Sequence, residues 1–219
     1  MPCRAAPACY SSLERFQRLD SAVVWQAASV REMLQRVMSN VSPWRVLDSQ
    51  YLLKKRWLNV RQDRVETGRG VVIDEFYVLE SPSWACVCCV SNERELVLIR
   101  QYRHGVGRVT LELPAGVIEN DETPELGARR ELREETGYVA ERWLQLPTLT
   151  PEPSRHTHRA HCFVALDARP AHSQTLDEAE HVEVVRIPLS RITELVTSGQ
   201  LDHAVHVAAV LLARSMSLL

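Results

Sequence analysis

The order of elements in this 219-residue chain predicts an α/β or α+β domain: strands, one helix, strands again, then helices. Three observations carry the prediction. Residues 44–102 alternate apolar and polar side chains, or run as short apolar stretches between turn signals. Residues 123–137 hold helix start and stop signals, and residues 190–215 return to helical spacing. At the N-terminus, Leu13, Phe16, Leu19, Val23, Ala27, Val30, Leu34 and Val37 recur at roughly helical spacing, which predicts a helix over 12–37. The composition shifts after it. Residues 1–40 are therefore expected to be an N-terminal helical extension, dispensable up to the functional start at Met38. Strands follow at 44–53, 56–62 and 71–79, the last after a turn at 66–70, and residues 41–82 form an N-terminal strand region ahead of the main domain at 83–219. Strands 84–91 and 95–102 pair across Asn92, Glu93 and Arg94. Thr123 is a helix N-cap, Pro124 suits the first turn, and Gly137 suits the position past the end. Leu126, Ala128 and Leu132 supply its buried stripe. Strands at 142–149, 161–167 and 181–188 lead to helices at 190–198 and 201–215, parted by Gly199.

Composition excludes several classes. Hydrophobic content of 45% and charged content of 25% suit a soluble globular chain. A net charge of −2 advertises no polyanion-binding face, so long nucleic acid is not an expected partner. No stretch of eighteen apolar residues is present, so no membrane partner is expected, and the first thirty residues show no secretory pattern. Six cysteines show no disulfide framework, which places the chain in a reducing cytoplasm. Cys86, Cys88 and Cys89 lie in a strand with Trp84, Val87 and Val90, and read as small buried hydrophobes rather than metal ligands. His156, His158 and His161 read as a loop entering a strand, for want of a carboxylate partner.

The chemistry concentrates between residues 116 and 138. Gly116 is followed after five residues by Glu122. Seven residues later come Arg130 and Glu131, then Leu132, Arg133, Glu134, Glu135, Thr136, Gly137 and Tyr138. On a helix, Glu131, Glu134 and Glu135 share nearly one face, where like charges repel by a few tenths of a kcal/mol per pair. Such a face calls for cations. Hard divalent ions take oxygen ligands and share them with substrate phosphates, so three clustered glutamates suit one to three ions. Arg130 is placed to orient a carboxylate rather than to bind metal. Gly116 lets a main-chain carbonyl approach a cation. Seven fixed positions at roughly 5–10% usage each co-occur by chance on the order of once in a hundred million registers.

This is the complete spacing of the Nudix box, and the chain resembles the Nudix hydrolases. The resemblance implies an α/β/α sandwich with a mixed sheet, preceded by a small N-terminal antiparallel sheet that exchanges across a homodimer. It implies metal ligation by the Ala115 carbonyl, Glu131, Glu134 and Glu135, with Glu122 supporting them. The flanks narrow the branch. Gln101-Tyr102-Arg103 and Leu111-Glu112-Leu113-Pro114-Ala115-Gly116 look like the ADP-ribose pyrophosphatases and their nucleoside-diphosphate-sugar relatives. There Arg103 would hold phosphate or ribose and Glu112 a ribose hydroxyl; guanidinium suits phosphate and carboxylate suits a diol. In this branch a glutamate in the loop before the last core strand is a proposed base, which makes Glu178 and Glu180 candidates and Glu152 a third. Trp57, Arg61 and Tyr77 are the N-terminal residues placed to touch a base. Pro153 matches a proline of the branch, but Ser154 replaces its usual glycine, and histidines at 156 and 158 stand where a glutamate is common.

The implied activity is hydrolysis of a nucleoside diphosphate sugar, ADP-ribose first, to a nucleoside monophosphate and a sugar phosphate. Mg²⁺ is the expected cofactor, with Mn²⁺ the alternative. A bound divalent ion lowers the pKa of water and clamps attacking and leaving oxygens, while a glutamate, Glu178 or Glu180 in the loop or one within the box such as Glu131 or Glu134, takes the proton. Other Nudix substrates are the enzymatic alternative: GDP-mannose, dinucleoside polyphosphates or oxidised nucleotides. A non-catalytic ADP-ribose-binding module is the rival from another class, and the intact box carboxylates argue against it.

Overall fold

The structure is a computed structural model describing Val30 and residues 41–219; the rest of the expected N-terminal helix, and Met38, lie outside the described residues. Three strands, β1 (Arg45–Lys54), β2 (Asn59–Glu66) and β3 (Val72–Glu80), form a small sheet in the order β1-β2-β3. The first two run antiparallel: Arg45 bonds Glu66, Ser49 bonds Asp63 and Gln50 bonds Gln62, so one index falls as the other rises. The chain's two compact units divide within this sheet. Among the described residues, 41–49 and 63–76 belong to one, and residues 50–62 and 77–219 to the other. In the first, Trp44 stands edge-on to Phe76 at 5.6 Å, and Arg64 pairs with Asp74.

In the second unit an eight-stranded mixed sheet is built on β4 (Trp84–Ser91), β5 (Glu95–Arg103), β10 (Ala160–Pro170) and β11 (Val182–Pro188), with the short β8 (Tyr138–Val139) at its edge and the path β11-β5-β4-β10-β8. β4 and β10 are parallel, Cys86 opposite Cys162, and β5 pairs antiparallel with both β4 and β11. Period two sorts the apolar run of β4 onto two faces. Ala85, Val87 and Cys89 join Ala128, Leu132 and Phe163 in one core, while Cys86, Cys88 and Val90 join Ile192, Leu195, Val205 and Ala209 in the other. One face is covered by helix α1 (Pro124–Thr136), the other by α2 (Ile192–Thr197) and α3 (Ala204–Ser215). A strand covered on both sides is apolar throughout rather than alternating. This is the α/β/α sandwich that the resemblance implies.

Several expectations change in detail. Leu126 does not join the buried stripe; it is 54% exposed, and Ala128 and Leu132 alone enter the core. The helix expected at 190–198 opens with a 3₁₀ turn at Leu189–Arg191 before α2. The strand expected at 142–149 stops early, as β9 (Arg142–Gln145). Three short strands had no clear sequence signal: β6 (Arg108–Glu112), β7 (Ala115–Val117) and β8 (Tyr138–Val139). Their pairing comes from neighbours already in the sheet. Ala115, Gly116 and Val117 lie opposite Cys86, Ala85 and Trp84 of β4. That pairing sets Gly116 beside α1. The cysteines behave as small hydrophobes: Cys86, Cys88, Cys89 and Cys162 are buried and free.

Candidate active site

α1 presents the acidic face because both its ends are fixed. The Leu126 N–H donates to Thr123 Oγ1 at 3.3 Å, and Pro124 begins the first turn. At the far end Gly137 takes φ 72° and its N–H donates to the Arg133 carbonyl. A side chain there would be strained in φ and would also strike the His172 carbonyl. At the sheet edge a Cβ on Gly116 would overlap the Glu131 carboxyl and push it aside, so this glycine lets β7 lie close to the acidic face with Glu131 in place.

Glu131, Glu134 and Glu135 line one cavity of about 780 Å³, together with Arg103, Arg130 and Glu180. Arg130 threads the carboxylates. Its Nη1 donates to Glu131 at 2.7 Å and to Glu134 at 3.2 Å, and its Nη2 donates to Glu122 at 2.7 Å and to the Val117 carbonyl at 2.9 Å. Glu122 does not line the cavity. It takes two bonds from Arg130 and one from the Glu119 N–H, and Arg130 holds its carboxyl below the usual range. Glu122 therefore acts on the site through Arg130. Glu135 is buried, and the Ala115 N–H donates to it at 2.9 Å. Burial pushes its carboxyl up, the Ala115 bond offsets part of this, and Glu131 and Glu180 add to the rise, leaving it at about 8. Burial also pushes Glu131 up, against the pull of Arg130.

These shifts describe a site short of positive charge, and every convergent donor is an oxygen. Among the described residues no three His, Cys, Asp or Glu side chains already converge as a ligand set. The oxygens of Glu131 and Glu134 instead meet on one nitrogen of Arg130. The donor chemistry still fits a hard divalent cation, which Glu131, Glu134, Glu135 and the Ala115 carbonyl could hold.

Arg103 and Glu112 are tied to each other. Arg103 Nε donates to Glu112 Oε1 at 2.9 Å and Nη2 to Oε2 at 2.7 Å, while Thr110 Oγ1 adds a bond of 2.6 Å. Glu112 is 1% exposed. Burial works against its charge, but these bonds win and hold the carboxyl at about 2. Glu112, for which the resemblance implies a ribose contact, here orients Arg103 and accepts from Thr110.

The loop before β11 is pinned to α1. Gln174 Nε2 donates to the Glu135 and Val182 carbonyls, and the Thr175 N–H donates to the Glu134 carbonyl. Glu180 thereby lines the cavity, while Glu178 does not. Glu152 lines a neighbouring cavity. Trp57 lines both cavities, with the Arg56 guanidinium 4.4 Å over its ring. Arg61 is paired with Glu80 and, like Tyr77, lies outside both linings. Sequence reasoning missed Gln174, Thr175 and Asp177. They are polar loop residues whose only signal is closeness to the acidic stretch.

Comparison with known proteins agrees with this geometry. A NUDIX domain profile matches residues 81–209, and a profile for the nucleoside diphosphate sugar hydrolase N-terminal domain matches residues 44–79. The ADP-ribose pyrophosphatase of Bacillus subtilis is 32% identical over 128 residues, covering 58% of this chain and 69% of that protein. The GDP-mannose pyrophosphatase of Citrobacter koseri is 28% identical over 167 residues, covering 72% of this chain and 85% of its own length. A crystal structure of an ADP compounds hydrolase superposes with a TM-score of 0.72 at 26% identity, covering 81% of this chain and 95% of that one.

Proposed function

The chain belongs to the Nudix family, and from that premise we propose that it hydrolyses the diphosphate of a nucleoside diphosphate sugar, with ADP-ribose the first substrate. The observation that carries this reading is the cavity in which Glu131, Glu134 and Glu135 face Glu180 and Arg103. A diphosphate lying there meets Arg103, whose guanidinium is preset by the buried Glu112 to grip phosphate oxygens. Arg130 keeps Glu131 and Glu134 together while the site waits for substrate. The Ala115 N–H fixes Glu135 in the wall. Glu180, on the loop anchored through Gln174 and Thr175, receives the proton of the attacking water on its carboxylate. Glu178 is not assigned this role. A Mg²⁺ or Mn²⁺ ion bound by Glu131, Glu134, Glu135 and the Ala115 carbonyl would supply charge neutralisation of the diphosphate and a more acidic water. Products are AMP and ribose 5-phosphate.

The small N-terminal sheet supports a homodimer. Val46, Tyr51, Leu52 and Val72 are exposed there, and exposed apolar side chains of this kind suit an interface. Buried free cysteines support a reducing cytoplasm, and no described helix is long and apolar enough to cross a membrane. The test is a panel of ADP-ribose, GDP-mannose, UDP-glucose, NADH and diadenosine polyphosphates with Mg²⁺ and with Mn²⁺. ADP-ribose is expected to give the highest kcat/KM. A preference for GDP-mannose would move the chain to the activity named for its Citrobacter relative, and cleavage of none would overturn the reading.

A further inference from the structure

A second cavity of about 680 Å³ opens beside the acidic one and shares Trp57, Pro82, Arg103, Ala115, Gly116 and Val117 with it. A ligand spanning the shared wall would have its diphosphate over the glutamates and one end in this second space. The far wall carries four histidines from two places in the chain: His156 and His158 after β9, His203 and His206 at the start of α3. Nothing in the proposed hydrolysis uses them. The remaining lining is mostly apolar, with Trp84, Pro82 and Pro151 as its flat surfaces.

His206 is the informative residue. It is 1% exposed, and the Leu113 N–H donates to its Nδ1 at 3.2 Å. An Nδ1 that accepts carries no hydrogen, so the neutral ring bears its proton on Nε2. That Nε2–H has no partner among the described residues. His203 stacks on the same ring at 3.9 Å, and Trp84 stands edge-on to both, at 5.5 and 5.7 Å. Nδ1 of His203, of His156 and of His158 are likewise buried without partners. A buried polar atom without a partner is destabilising, because it has given up its water and gained nothing in exchange. Four of them around one cavity is a pattern that a bound polar ligand would relieve.

The chemistry of the lining selects among the ends of the substrate. Sugar hydroxyls are held best by free carboxylates, and both carboxylates of this lining already have partners: Glu112 accepts from Arg103 and Thr110, and Glu152 accepts from Ser154 and pairs with His156. Flat apolar walls with a few fixed imidazoles suit a flat heterocycle that offers both acceptors and donors. We propose that this histidine-lined cavity is the nucleobase pocket of the enzyme, with His206 Nε2–H donating to a ring acceptor and His203 and Trp57 lying against the base. The proposal deepens the reading above and rests on it for the position of the diphosphate.

The test has two arms. In the first, the full chain labelled with ¹⁵N-histidine is titrated with AMP and separately with ribose 5-phosphate, in EDTA and without turnover. AMP is expected to move the imidazole signals of His203 and His206, and ribose 5-phosphate to leave them in place. Movement with ribose 5-phosphate alone would make this a sugar pocket, and movement with neither would remove the site. In the second arm, His203→Ala is expected to raise KM for ADP-ribose about tenfold, the worth of one good contact, with kcat within about twofold of wild type. A fall in kcat at unchanged KM would overturn the assignment. If the wild-type chain fails to cleave ADP-ribose, the substrate reading falls on its own, and the first arm still decides whether a base binds here.

Discussion

At the scale of single residues, the site holds carboxylates in opposite electrical states. Glu135, raised to about 8, is largely protonated at neutral pH in the metal-free protein, while Glu112 is ionised down to about 2. A carboxyl raised above its unfolded value adds stability that is fully present below the ordinary range near 4.5 and lost as pH climbs through 8. Glu135→Gln should therefore stabilise the metal-free protein at pH 9 and change little at pH 4, as read by thermal midpoints. A cation at Glu135 must displace that proton, so Mg²⁺ should raise the melting temperature more at pH 8.5 than at pH 6.5. The Arg103–Glu112 pair makes a second prediction. Removing Arg103 strands a buried charge, and although its half-exposed guanidinium is partly screened by water, Arg103→Ala should cost about 1–3 kcal/mol in denaturant unfolding. Adding Glu112→Gln should recover most of that loss. Equal stability of Arg103→Ala and wild type would show that Glu112 does not depend on its partner. Sequence reasoning assigned Arg103 to substrate alone; the structural dependence follows from the burial of Glu112, which the Glu-x-Pro-Ala-Gly pattern does not display.

At the scale of elements, α1 sets the spacing of the acidic face and depends on Gly137. Gly137→Ala should cost at least about 1–2 kcal/mol, from its left-handed φ and from the clash with the His172 carbonyl. Chemical unfolding measures it, and a midpoint equal to wild type would show that the loop at 172 gives way freely. This helix was legible in the sequence because Thr123, Pro124 and Gly137 are local signals, and local signals need no tertiary partner to be read. The strands β4 and β5 were legible for a similar reason, as apolar runs around a short turn. Strands β6, β7 and β8 were not. Pro114 and Gly116 break any periodicity, and the pairing of Ala115–Val117 exists because β4 offers its edge there. Leu126 shows the reverse failure: its spacing suits the buried stripe, yet it is exposed while the adjoining Gly127 and Ala128 are buried. The box glutamates were readable as a set, but that Glu180 lines the cavity and Glu178 does not was unreadable, because it depends on Gln174 and Thr175 anchoring a polar loop.

At the scale of the whole molecule, two profiles meet near residue 80, and the compact units divide within the N-terminal sheet. The exposed apolar residues of that sheet are the place where a second copy would sit. Leu52 is 53% exposed, and Leu52→Glu should convert a dimer into a monomer at micromolar concentration in sedimentation velocity. A wild-type chain that sediments as a monomer would remove the dimer from the account. The long-range chemistry of the site was legible as a family resemblance and its local geometry only in part. Carboxylates three and four apart point to cations on helix geometry alone, whereas the histidine-lined space depends on α3 packing against β4, which no local pattern reveals.

The most direct measurement is ³¹P NMR of ADP-ribose incubated with the wild-type chain and with Glu134→Gln, in Mg²⁺ and again in excess EDTA. The account predicts that the diphosphate signals give way to two monoester signals, AMP and ribose 5-phosphate, with wild type and Mg²⁺ only. It predicts a rate about 10²–10⁴-fold lower for Glu134→Gln at an unchanged melting temperature. Cleavage that persists undiminished in EDTA, or in Glu134→Gln, would contradict it, as would a diphosphate left intact by folded wild-type protein in Mg²⁺ and in Mn²⁺.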